Sequence, residues 1–172
     1  RDKFGYTSLI WAAQEGYPAC VQLLLDAKSD LETKDKYGST ALLLATLDGH
    51  TECLKLLMEA GADIETATDR GSTALMAAAS NNNLECLQLL IDAKVNIEVK
   101  NEEGSTALIM AATQGHTKCV ELLLSSKADI DASDNDGCTA LMLAVIHKRS
   151  TECMRAILKY KIQSLAKETS CL

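Results

Sequence analysis

The chain has 172 residues, 47% of them hydrophobic but only 3% aromatic, with one proline, seven cysteines and a formal net charge of −7. No apolar run approaches the roughly 18 residues of a membrane span and no signal peptide opens the chain, so it reads as soluble with no membrane partner. The acidic balance would repel phosphates and argues against a nucleic-acid partner.

A 33-residue unit organises the rest. Gly5, Gly38, Gly71, Gly104 and Gly137 recur at that spacing. So do Thr7, Thr40, Thr73, Thr106 and Thr139; Leu9, Leu42, Leu75, Leu108 and Leu141; and Ala12, Ala45, Ala78, Ala111 and Ala144. Chance does not put four columns in register. The chain is read as one domain, 1–172, of five repeats at 2–34, 35–67, 68–100, 101–133 and 134–167, with a tail at 168–172.

Repeat one starts abruptly at a turn, without the return segment that would precede it. Trp11 takes the position held later by Leu44, Ala77, Met110 and Leu143, and is expected to pack over the open end. Pro18 falls at the start of a second helix, where a missing N–H is harmless. Repeat two shows the logic of the unit. Asp35 to Gly38 form a turn, Thr40 stands at an N-cap, Ala41 to Ala45 are helix formers, and Gly49 stops that helix. Glu52 then opens a second helix carrying Cys53, Leu54, Leu56, Leu57 and Met58, which ends at Gly61 before an extended return.

In repeat three Asn82 and Asn83 replace the interhelical glycine, and Asn tolerates the left-handed region. Repeat five departs most, with Lys148 and Arg149 where Gly115 and His116 stood and one residue inserted. From Lys148 onward six Lys or Arg face two Glu, whereas Arg1 to His147 holds eleven basic residues against twenty-two acidic ones. An acidic arc thus carries a basic end. Helices this short are marginal alone in water, so each unit must bury its apolar faces on its neighbours.

A period of 33 with a Gly-x-Thr-x-Leu-x-x-Ala core resembles the ankyrin repeat family over almost the whole chain. The resemblance implies an all-α solenoid of stacked helix-turn-helix units with β-turn or hairpin fingers, whose concave face binds partner proteins. The family's Thr-Pro-Leu-His motif is altered: Ser8, Ala41, Ala74, Ala107 and Ala140 stand for its Pro, and Ile10, Leu43, Met76, Ile109 and Met142 for its His. That removes a polar network the family normally uses.

By the same resemblance, the variable concave positions are the two residues before the finger glycine, the one after it, and a pair near the end of the first helix. They give the candidate protein-binding residues Phe4, Tyr6, Gln14 and Glu15; Tyr37, Ser39, Leu47 and Asp48; Arg70, Ser72, Ser80 and Asn81; Glu103, Ser105, Thr113 and Gln114; and Asp134 and Asp136. Phe4, Tyr6 and Tyr37 are three of only six aromatics in the chain, and carboxylates gather at the other end. The expected partner is a basic protein or peptide with an apolar anchor, the anchor meeting Phe4, Tyr6, Tyr37 and Leu47 and its basic residues meeting Asp131, Asp134 and Asp136. The alternative is that acidic tips merely keep an elongated protein in solution.

Cys20, Cys53, Cys86 and Cys119 share one repeat position, with Cys153 shifted by one. Neighbouring helices pack about 8 to 10 Å apart, beyond the roughly 7 Å Cα limit for a disulfide, so these are expected to be buried free thiols of a reducing compartment, cytoplasmic or nuclear. No metal or cofactor is expected. The acidic run Asp129 to Gly137 fails as a calcium loop, since Ala132 and Leu143 fall where ligands are required. His50 and His116 sit two repeats apart and cannot share a ligand, and no catalytic motif is present, so the chain is not read as an enzyme. The family's return-segment Asn that some members hydroxylate is here Glu32, Glu65, Glu98 and Asp131. Ser170, Cys171 and Leu172 fit a carboxylate-capture peptide of the Ser-x-Leu type only weakly.

The leading expectation is therefore a monomeric, non-catalytic protein-interaction module. A docking or regulatory arm of a larger catalytic, channel or effector protein, and a purely structural or designed scaffold, stay open beside it.

Overall fold

A computed structural model describes residues 1–147 and 151–169. Lys148 and Arg149, which open the basic tail, and the Ser170, Cys171 and Leu172 terminus lie outside the described residues. The helices come in pairs: α1 (Ser8–Gln14) with α2 (Pro18–Asp26), α3 (Ala41–Leu47) with α4 (Thr51–Glu59), α5 (Ala74–Ser80) with α6 (Leu84–Asp92), α7 (Ala107–Gln114) with α8 (Thr117–Ser125), and α9 (Ala140–His147) with α10 (Thr151–Thr169). The odd-numbered helices stack on one another as an inner row and the even-numbered ones as an outer row. One apolar core, from Leu9 and Ile10 to Cys153 and Ile157, runs between the rows for the length of the stack.

The threonine column starts the inner helices. Thr7, Thr40, Thr73, Thr106 and Thr139 each accept a hydrogen bond from the backbone N–H three residues on, at 3.2 to 3.4 Å. Each satisfies one donor that the first turn leaves free. The residues that stand for the family's His are not polar substitutes: Ile10, Leu43, Met76 and Ile109 are buried against the next repeat. Apolar packing replaces the lost network there. Asn82 takes φ 60° between α5 and α6, as its role in place of glycine requires.

Between repeats, Asn83 and His116, which share one repeat position, act as hooks. Asn83 Nδ2 donates to the Thr46 and Leu47 carbonyls at 2.9 and 2.8 Å, and His116 Nε2 lies 3.0 Å from the Ser80 carbonyl. Both reach carbonyls at the end of the preceding inner helix that have no partner within it.

Many of the acidic residues prove to be structural. Asp35 Oδ1 accepts from the Tyr37 and Ser39 N–H groups at 2.8 Å each, closing the finger, and Asp2, Asn101 and Asp134 repeat the arrangement. Glu32 Oε1 accepts from Asp63 N, Glu65 Oε1 from Asn96 N and Glu98 Oε1 from Asp129 N, at 2.7 to 2.9 Å, tying each return loop to the next. The next member of that column, Asp131, pairs with Lys161 of α10. These returns form bends and turns, and the one isolated bridge among the described residues joins Ser133 and Thr139.

Two expectations change at the ends. Trp11 does not shield the first repeat but is itself exposed, tilted 33° against Tyr6 with ring centroids 5.0 Å apart. Cys53, Cys86, Cys119 and Cys153 are buried, whereas Cys20 is exposed. Burial raises the buried thiols, Cys119 and Cys153 to about 11. At pH 8 iodoacetamide should label Cys20 well before Cys53, Cys86, Cys119 and Cys153, which react only after unfolding, as followed by mass spectrometry; equal rates at these five would contradict this packing. α10 runs to Thr169, 19 residues against nine in the other outer helices, and so continues past the repeat boundary drawn at 167. No helix among the described residues is long and apolar enough to cross a membrane.

Candidate functional site

The fingers stand in a row beside the inner helices. Their backbones are joined: Lys36 N donates to the Phe4 carbonyl, Asp69 N to Tyr37, Glu102 N to Arg70 and Asn135 N to Glu103, at 2.9 to 3.1 Å. Each finger is thus closed on itself and fixed to the one before it. The surface they make with the inner helices is preformed.

A groove of about 480 Å³ opens on this surface across repeats two to four. Leu43, Leu47, Ala77 and Met110 give it an apolar floor, and Tyr37, Arg70, Ser72, Ser80 and Asn81 stand around it. The small Ala77 leaves the space, for its column carries Trp, Leu, Met and Leu in the other repeats. A second cleft of about 410 Å³ follows, lined by Arg70, Ser72, Met110, Asn101, Glu102 and Glu103. Arg70, Ser72 and Met110 belong to both, so the two form one channel whose lining turns from apolar to acidic.

Seven of the candidate residues, Tyr37, Ser39, Leu47, Arg70, Ser72, Ser80 and Asn81, meet in the first groove, and Glu103 lines the second. Ser39 and Ser105 are nonetheless buried, their N–H groups held by Asp35 and Asn101, and present little surface. Asn81 Nδ2 donates to the Ala77 carbonyl and Thr113 Oγ1 to the Ile109 carbonyl, so both side chains serve their own helices. Gln14 and Gln114 are half-buried, Asp48 is the exposed C-cap of α3, and Asp134 is occupied in its turn while Asp136 is exposed. Glu15 lines a different groove, at the N-terminal end of the stack.

The aromatics divide into two groups. Lys36 Nζ lies 4.2 Å from the Phe4 ring centroid and 4.8 Å from that of Tyr37, and Lys3 Nζ lies 4.9 Å from Phe4. Cations against aromatic faces hold this pair at the fingertips. Tyr6 sits apart with Trp11, its pKa raised by burial and then by Asp35. Leu43, Ala77 and Met110 were outside the candidate set, although the change of side-chain size along the Ala77 column is visible in the sequence. Among the described residues no group of three or more His, Cys, Asp or Glu is placed to hold a metal.

No curated protein matches the chain. A family model described as Ankyrin repeats (3 copies) matches residues 9–101 and again 75–168, and no catalytic family is matched. Repeats of this kind are protein-interaction modules. With the stacked helix pairs and the match running from 9 to 168, the chain belongs to the ankyrin repeat family.

Proposed function

We propose that the channel across repeats two to four binds an extended segment of a partner protein, seating an apolar side chain over Leu43, Leu47 and Met110 and a Lys or Arg beside Glu102 and Glu103. The observation that carries this is the change of lining, from an apolar floor to paired carboxylates, within one continuous channel. The fingertip charges change in the same direction, from Lys3 and Lys36 through Asp69 and Arg70 to Glu102 and Glu103. Such a gradient orients a charged segment on approach. Because the fingers are fixed by their own hydrogen bonds, little ordering entropy is lost on this side of the complex. The apolar anchor belongs at Tyr37 and Leu47, with Phe4 and Tyr6 as outer contacts.

Selection from a random peptide display library tests this. Enriched peptides should combine an apolar residue with a nearby Lys or Arg, and should weaken as salt is raised. Leu47→Glu and the double change Glu102→Lys with Glu103→Lys should each lower their affinity about tenfold or more, roughly 1.4 kcal/mol. Acidic consensus peptides, or peptides that bind both variants as well as the parent, would overturn the reading.

A further inference from the structure

We infer that the side chain seated in the groove of repeats two to four is a large aromatic one with a hydrogen-bonding edge, tryptophan or tyrosine, and that Ala77 sets this choice; the inference rests on the channel binding a partner segment as proposed above. The column of Ala77 holds Trp11, Leu44, Met110 and Leu143 in the other repeats. The column almost one turn on carries Gln14, Leu47, Thr113 and Ile146, but Ser80 in repeat three. Repeat three is thus small at both positions its inner helix gives to the groove, while Leu43 and Leu47 stand on one side of the gap and Met110 on the other. The neighbours do not close it. Bonded fingers and stacked inner helices hold repeats two and four at a fixed spacing, and about 480 Å³ stays open between them. A gap walled by large residues gives a flat, bulky group contacts on both faces and leaves a small one with few.

The polar wall narrows the choice further. Thr113, the counterpart of Ser80 in the next repeat, donates its hydroxyl to the Ile109 carbonyl of its own helix. Ser80 does not follow it. Among the described residues, the Ser72 and Ser80 hydroxyls and the Arg70 guanidinium make no hydrogen bond or ion pair, although all three line the groove. A serine hydroxyl accepts from an indole N–H or a phenol O–H, the donors that Trp and Tyr must satisfy on burial. Arg70 is placed to lie against the ring face, and Met110 brings a thioether, a favourable neighbour of aromatic rings. Phenylalanine fills the volume but leaves the hydroxyls unpaired once water is displaced, and leucine or valine does neither. Past Arg70 the lining is acidic, so charge complementarity puts a Lys or Arg of the same segment beside Glu102 and Glu103.

Peptide selection on the parent and on Ala77→Leu tests the inference. Peptides enriched on the parent should carry Trp or Tyr at the apolar position with Lys or Arg nearby. Those enriched on Ala77→Leu should keep the basic residue and carry a smaller side chain in place of the aromatic one. Leucine already occupies this column at Leu44 and Leu143, and unchanged circular dichroism spectra and melting midpoints establish that the variant folds. Isothermal titration calorimetry then compares synthetic versions of the consensus peptide that differ only in Trp, Phe or Val at the anchor. On the parent, Trp should bind about tenfold or more tighter than Val. Ala77→Leu should remove that preference, and Ser72→Ala with Ser80→Ala should weaken the Trp peptide several-fold while leaving the Phe peptide unchanged. A consensus that pairs Leu, Ile or Val with Lys or Arg, or a Trp preference that Ala77→Leu does not move, would overturn the aromatic anchor and leave the channel as the binding site. An acidic consensus, or no enrichment at all, would overturn both readings.

Discussion

Leu87→Ala should lower the unfolding free energy by about 2–5 kcal/mol, a large part of the roughly 5–15 kcal/mol available to a natural domain. Leu87 is fully buried on α6, the outer helix of the central repeat, which packs on α4, α5 and α8. Short helices keep their form only through such contacts, so the cavity weakens the interfaces on both sides of repeat three. Leu23→Ala is the matched control: the same residue type in the outer row, but on the uncovered face of α2, where a change within about 0.5 kcal/mol is expected. Urea denaturation followed by circular dichroism measures both. Equal losses would mean that burial against neighbouring repeats is not what stabilises the stack.

Gly38→Ala should be the most damaging change on the binding surface. Gly38 takes φ 79°, and a Cβ there would stand 2.5 Å from Asp69 Oδ1 and 2.6 Å from Asp69 N. That N–H is the one bonded to the Tyr37 carbonyl, so the clash falls on the backbone rung between fingers two and three. Gly61→Ala isolates the conformational part of the cost, since φ is 88° but nothing lies within 4 Å. The strain alone is about 1–2 kcal/mol at either site. Gly38→Ala should lose more than Gly61→Ala in the same denaturation experiment and should also weaken selected peptides, which Gly61→Ala leaves unaffected. Equal losses of stability with intact peptide binding would show that the finger row tolerates the displacement.

The residues whose partners lie within their own unit could be read directly from the sequence. Thr40 and Thr73 cap helices that begin one residue later, Asp35 closes its own finger, and Pro18 opens α2, all by local rules of helix ends and turns. Residues that act between units were harder to read. The shared column of Asn83 and His116 reveals a constraint without revealing that the partner is a carbonyl of the preceding repeat, and the Glu32, Glu65 and Glu98 column does not by itself reveal that each caps the next return loop. The candidate surface shows the same division. Tyr37, Leu47, Arg70, Ser80 and Asn81 do gather, but the groove they surround exists because Ala77 is small beside Met110, a matter of volume between repeats that a position-by-position reading does not register. Trp11 and Cys20 were misplaced for a related reason, since exposure at a shared repeat position differs from one repeat to another.

The most direct test of the interaction surface is amide hydrogen exchange on the chain with and without a selected basic-apolar peptide. Slowing should concentrate at the fingers from Tyr37 to Gly38, Arg70 to Ser72 and Glu102 to Glu103, and in the inner helices α3, α5 and α7, with the outer helices unchanged. Protection confined to α4, α6 and α8, or to α10, would place the partner on the opposite side of the stack and contradict a concave site.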